Sequence, residues 1–139
     1  MASTDFQLTG CFFCDDIRDE KSLQSTVVGV YPHEIQVAKF PWKKRFFLFV
    51  TFRWSGRVAT SFQLRVRLND EPKEKFAEVK IESEHSDLFG FSQSVNLKGP
   101  MIDVVEPCII SVDGKVEDEE WCEIGRVAIA SLSSTDPAP

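Results

Sequence analysis

The sequence has few of the residues from which common active sites are built. Its 139 residues include two histidines, His33 and His85, and seven glycines that are scattered singly. It contains no G-x-S-x-G, no H-E-x-x-H and no phosphate-cradling glycine loop. Neither histidine lies in a motif that supplies both a nucleophile and its base. We therefore expect a protein that is not an enzyme and that has no cofactor.

Long apolar runs are also missing. None approaches the roughly 18 residues of a membrane span, and residues 1–6 lack the basic region and apolar stretch of a secretion signal. We therefore expect a cytoplasmic protein without a membrane segment. The four cysteines stand in a chain too large and too rich in core residues for a disulfide scaffold, and this favours reduced thiols.

Strand-forming residues are plentiful. The chain is 42% hydrophobic with twelve Phe, and Val, Ile and Thr are abundant. Residues 62–68 alternate strictly between apolar and polar, and residues 46–54 place every second side chain on an apolar face. Because the two runs flank Ser55-Gly56-Arg57, we expect them to form a hairpin.

Further alternating segments bring the total to about eight strands. Gly99-Pro100 predicts a break in the chain, and Asp113-Gly114 predicts a turn. Short strands separated by turn signals are typical of a sandwich or barrel. We expect one all-β domain over residues 1–130, a two-sheet antiparallel β-sandwich of immunoglobulin-like or C2-like type. Residues 131–139 are expected to form a flexible tail.

The first 41 residues carry a series of short motifs. CDDIR at 14–18 is followed by KS at 21–22, GVY at 29–31 and FP at 40–41, with Ile35 and Val37 between them. This pattern resembles an uncharacterised family of small bacterial β-rich proteins. The resemblance implies a bacterial or phage origin and an all-β fold, and it implies no activity. From its residue types alone, the first motif predicts a strand that ends at Cys14 and a charged turn after it.

Cys11 and Cys14 have the C-x-x-C spacing of zinc and redox sites. In a continuous strand, positions three apart point to opposite faces, so the two thiols would not converge. Cys108 and Cys122 lie on separate expected strands without knuckle spacing. Burial as small core residues is the favoured interpretation, and a metal-binding protein that uses Cys11 and Cys14 remains an alternative. The acidic run 117–120 lacks the ordered spacing of a calcium loop.

Charge is distributed unevenly along the chain. Residues 35–69 contain eight basic residues and no Asp or Glu, while the net charge of the whole chain is −6. In the expected hairpin Arg53, Arg65 and Arg67 would share one face with Phe47 and Phe49, and residues 39–45 would lie at its edge. Such a face predicts a protein interface, or a surface that stacks bases and neutralises phosphates. The third interpretation is internal pairing, with Glu78 and Glu82 opposite Arg65 and Arg67.

We expect a non-catalytic module that recognises another protein in a bacterial or phage-infected cytoplasm. Binding of nucleic acid or another polyanion is the first alternative, although the overall acidity argues against tight binding. Self-association, for instance through an unpaired sheet edge, is left open. The predicted interaction surface consists of Trp42, Lys43, Lys44, Arg45, Phe47, Phe49, Arg53, Arg65 and Arg67.

Overall fold

The computed structural model describes residues 6–20, 25–31, 33–83 and 91–132, which form nine strands. These are β1 (Gln7–Asp19), β2 (Ser25–Tyr31), β3 (Glu34–Val37), β4 (Trp42–Trp54), β5 (Val58–Leu68), β6 (Glu71–Ser83), β7 (Phe91–Val104), β8 (Cys108–Val116) and β9 (Cys122–Ser131). Among these residues there is no helix of the length and apolarity needed to cross a membrane.

The strands form two sheets. The four-stranded sheet has the order β2-β1-β4-β7, and the five-stranded sheet has the order β3-β9-β8-β5-β6. Neighbouring strands are antiparallel, except that β3 runs parallel to β9. The expected all-β, two-sheet sandwich is confirmed, with nine strands in place of about eight.

One hydrophobic core lies between the sheets. The even-numbered positions 46 to 54 of β4 are buried, and so are Phe62, Leu64 and Val66 of β5. The ring of Phe6 lies 5.4 Å from that of Phe52 on one sheet and 6.1 Å from that of Phe62 on the other. Since each buried Phe contributes about 1.5–3 kcal/mol, these rings join the two layers firmly.

The expected hairpin between residues 46–54 and 62–68 is wrong. β4 belongs to the four-stranded sheet and β5 to the five-stranded sheet, so residues 55–57 carry the chain from one layer to the other. The rings of Phe52 and Phe62 face each other across the core at 5.8 Å. Alternation specifies which side chains are buried. It gives the same pattern whether the two apolar faces lie side by side or opposite each other.

The chain break expected at Gly99-Pro100 lies inside a strand. β7 continues through Gly99-Pro100, where the register with β4 shifts between Arg45 and Phe47. A Cβ on Gly99 would lie 3.0 Å from the carbonyl oxygen of Phe46, so this position favours glycine. Because β7 is an edge strand, its proline removes no ladder hydrogen bond that the sheet needs.

The turn expected at Asp113-Gly114 is also wrong, because both residues lie within β8. Gly114 gives room to the side chain of Leu8, whose Cδ1 a Cβ at this position would contact. The charged turn expected after Cys14 is likewise part of a strand, because β1 extends to Asp19. His85 and most of the expected tail, residues 133–139, lie outside the described residues.

Candidate functional site

The predicted interaction residues divide between the two sheets. β4 alternates without interruption, and its even positions from Phe46 onward are buried, so its odd positions face outward. Five of the nine predicted residues therefore share the outer face of the four-stranded sheet: Lys43, Arg45, Phe47, Phe49 and Arg53. The other four do not lie on this face, and the single surface expected from the sequence does not form.

Trp42 and Lys44 lie on the inner side of β4, at one end of the sandwich. The Lys44 ammonium donates to Oδ1 of Asp15 at 2.7 Å, and the Tyr31 hydroxyl donates to the same oxygen. The hydrogen bond from Lys44 holds the pKa of the Asp15 carboxyl below its usual value. Gly29, at φ +68°, leaves room for this carboxylate. These charges satisfy one another and are not free to bind a partner.

Arg65 and Arg67 lie on the outer face of the five-stranded sheet, where both are paired internally. Their Nε atoms donate to Oδ2 of Asp113 at 2.9 and 2.7 Å, and the Asp113 side chain is only 3% exposed. Arg67 also donates to Glu123 at 2.9 Å. Internal pairing is thus the correct interpretation for these two arginines. Their partners are Asp113 and Glu123, and not the predicted Glu78 and Glu82.

The network on this face continues beyond the buried carboxylate. Arg126 donates to both carboxylate oxygens of Glu123, at 2.9 and 3.1 Å, and this hydrogen bonding lowers the pKa of Glu123. The guanidinium of Arg65 lies 4.4 Å from the centre of the Trp121 ring, within cation–π range. The cations and carboxylates around Asp113 on the outer face of the five-stranded sheet are therefore paired with one another.

The outer face of the four-stranded sheet is open at its centre. Phe12 is 50% exposed, Val30 is 47% exposed and Val28 is 38% exposed. The register places Phe12 beside Phe49, with ring centres 6.4 Å apart, and it places Cys14 between Val30 and Phe47. The resulting apolar band runs across three strands and consists of Phe12, Val28, Val30, Phe47 and Phe49.

Polar and charged residues flank the apolar band. On one side Thr9 donates to Thr51 at 2.7 Å and Arg53 donates to Gln7 at 2.7 Å. Arg45 and Lys98 have no ion-pair partner among the described residues. The strand residues of this face include five cations and two carboxylates: Arg18, Lys43, Arg45, Arg53, Lys98, Asp16 and Asp103. On an acidic protein this face is therefore basic.

Cys14 lies under the apolar band and is fully buried. Its Sγ donates to the carbonyl oxygen of Phe47 at 3.1 Å, and burial raises its pKa to about 11. Cys11 pairs with Val50 on the core side, where burial raises its pKa to about 12. The two thiols thus lie on opposite sides of the sheet, as their spacing predicts. Among the described residues, no three His, Cys, Asp or Glu side chains are grouped to hold a metal ion.

Three members of the apolar band were not predicted from the sequence: Phe12, Val28 and Val30. The signal for Phe12 was present, because the consecutive apolar residues Cys11 to Cys14 cannot all lie on the core face of one strand. Val28 and Val30 alternate with Val27 and Gly29, so their outward position follows only from the register with β1.

The fold and the site together define a β-sandwich that leaves the outer face of one sheet apolar and basic. Residues 10–124 match the model of a family of unknown function, DUF6941, and the chain belongs to this family. The match agrees with the resemblance of the first 41 residues to an uncharacterised family. No curated protein matches the chain.

Proposed function

We propose that this protein is a non-catalytic module that binds another protein through the outer face of its four-stranded sheet. The observation that carries the proposal is the apolar band, where Phe12, Val28 and Val30 remain 38–50% exposed. Contiguous exposed apolar surface, rimmed by polar residues, is typical of protein interaction sites. Phe and Arg together are also frequent at the centres of such interfaces.

The rim indicates the chemistry of the partner. Arg45 and Lys98 flank the apolar band, and among the residues that the structure describes neither has an ion pair. The Arg53 guanidinium donates to the neutral side chain of Gln7. A partner with an apolar ridge and acidic residues beside it would cover the band and pair with these cations. Complementary charge of this kind sets orientation and speeds association more than it adds affinity.

The test compares matched variants in one capture experiment. The wild-type protein, Phe12→Glu and Val30→Glu would each be immobilised and exposed to lysate of the native host, and the captured proteins quantified. The control is Val105→Glu, because Val105 is 70% exposed and lies between β7 and β8, outside the apolar band. The captured protein would then be purified and its affinity for each variant measured.

The proposal requires a stoichiometric partner that binds the wild type and Val105→Glu equally. Its dissociation constant should rise at least about 30-fold for Phe12→Glu and Val30→Glu, because a central anchor is worth 2 kcal/mol or more. A partner that binds all four proteins alike would place the interface elsewhere. Capture of nothing by the wild type would remove the support for a protein partner.

The basic rim favours one other function, the binding of a polyanion. Phe12 and Phe49 could stack bases while Arg45 and Lys98 contact phosphates. A fluorescent single-stranded oligonucleotide would then bind with an affinity that falls steeply as salt is added. Arg45→Glu should abolish that binding, whereas Arg65→Glu removes a cation that already pairs with Asp113 and should leave it unchanged in any fraction that folds.

A further inference from the structure

Each sheet has two edge strands within the described part of the chain, and three of these four edges are protected. β3 has only four residues. β6 carries Pro72 and several charged residues, and β7 carries Lys98, Pro100 and Asp103. Short length, proline and charge are the features by which natural sheets prevent pairing with another molecule.

β2 has none of these features. Its sequence, STVVGVY, contains no charged residue and no proline, and three of its seven residues are Val. Val28 and Val30 are both exposed. The ladder with β1 includes the pairs Val30–Cys14 and Val28–Asp16, so the positive φ of Gly29 does not end the strand. On its other side β2 has no neighbouring strand among the described residues.

We propose that β2 pairs with β2 of a second copy of this chain, antiparallel and around a two-fold axis. Such pairing sets a segment against itself, so any charge near the axis would meet its own copy and repel it. The absence of charge in β2 removes that cost and makes a second copy the partner that fits this edge. The two four-stranded sheets would join into one of eight strands.

The midpoint of β2 is Val28. A pairing centred there sets Val28 against its own copy and Thr26 against Val30, all on the outer face. The apolar bands of the two chains then lie side by side, and both stay open to a partner protein. At about 3.3 Å per residue the paired strands extend over roughly 23 Å. This contact is small for a stable interface, so the dimer should dissociate reversibly on dilution.

The test uses opposite charges at one position. Sedimentation equilibrium of the wild-type protein should show a dimer fraction that rises with concentration. Val28→Lys and Val28→Glu should each raise the dissociation constant at least about tenfold, because like charges meet across the axis. An equimolar mixture of the two variants should restore dimers, since Lys then faces Glu. A contact that does not pair Val28 with its own region would give no such rescue.

Val105→Lys is the matched control and should dimerise as the wild type does, because Val105 lies outside β2. Circular dichroism would establish that each variant is folded, and Val28→Arg or Val28→Asp replaces one that is not, since the charge then still lies on the two-fold axis. In hydrogen exchange, amides of β2 should gain protection with concentration, whereas those of β6 should not. A wild type that is monomeric at all concentrations, or a mixture without rescue, would overturn the proposal.

Discussion

Arg65 and Arg67 donate to one buried carboxylate on the outer face of the five-stranded sheet, whereas Arg45 and Lys98 flank an exposed apolar band on the four-stranded sheet. All four are cations on solvent-facing strand positions. The difference lies in what the neighbouring strands supply, since β8 places Asp113 beside β5 and no described carboxylate reaches Arg45 or Lys98. A basic segment thus becomes an available surface only where the adjoining strands do not neutralise it.

The largest difference between the two faces should be in the free energy of unfolding that is lost when an arginine on each face is replaced by alanine. Arg67→Ala leaves Asp113, which is 3% exposed, with one of its two cations, and we expect a loss of about 3 kcal/mol in the free energy of unfolding. Arg45→Ala, on the open face, should change that free energy by less than about 0.5 kcal/mol. Urea denaturation monitored by tryptophan fluorescence measures both. Equal losses would show that the two faces do not differ in internal pairing.

A smaller effect should follow from adding a side chain at Gly29 of the edge strand β2, which carries Val28 and Val30 of the apolar band. Gly29→Ala places a Cβ at φ +68°, 2.5 Å from Oδ2 of Asp15, and we expect a loss of about 2 kcal/mol. Gly56→Ala is the control, because φ there is +72° and nothing lies within 4 Å of the added Cβ. The difference between the two variants in thermal or urea unfolding isolates the contact with Asp15. Identical losses would mean that Asp15 moves freely aside.

The sequence predicted most of what depends on local alternation. The buried positions of β4 and β5 follow from period two, because a one-residue shift would expose the whole apolar set. Alternation does not specify the sheet to which each strand belongs, and the predicted hairpin is wrong for this reason. The predicted surface failed with it, since Arg65 and Phe49 lie on opposite sides of the sandwich.

Local turn signals failed where distant contacts outweighed them. Asp113-Gly114 is a strong turn pair in isolation. Asp113 is instead held in β8 by two arginines that lie 46 and 48 residues away, and Gly114 accommodates the side chain of Leu8. Neither contact is visible in the neighbouring sequence. The same holds for the apolar band, since its outermost members are placed by the register between β1 and β2.

Acidification should act weakly on both sheets. The folded-state pKa values of Glu123 and Asp15 lie below the usual 4.5 and 3.8, so each carboxylate stabilises the fold fully above its unfolded pKa and loses that contribution as the pH falls through the folded one. Both side chains are partly exposed, so each contribution should be well under 1 kcal/mol.

The denaturation midpoint of the wild type should therefore fall more between pH 6 and pH 3 than that of Glu123→Gln or Asp15→Asn, under the same buffer conditions. Added salt should narrow these differences, because the ion pairs reach solvent. If neither variant differed from the wild type, the ion pairs of Glu123 and Asp15 would add nothing to acid stability.

The smallest expected difference between the two sheets is in the reactivity of their cysteine thiols. Cys122 is exposed at the start of β9, whereas Cys14 faces outward under the apolar band and is 0% exposed. Because burial also raises the pKa of Cys14 to about 11, little thiolate forms there at neutral pH. An aromatic disulfide reagent should label Cys122 rapidly and Cys14 only when the protein unfolds, and Cys122→Ser should remove the fast phase. Rapid labelling of Cys14 in that variant would mean that Phe47 and Val30 separate readily, and the apolar band would then be a mobile surface that a partner must order on binding.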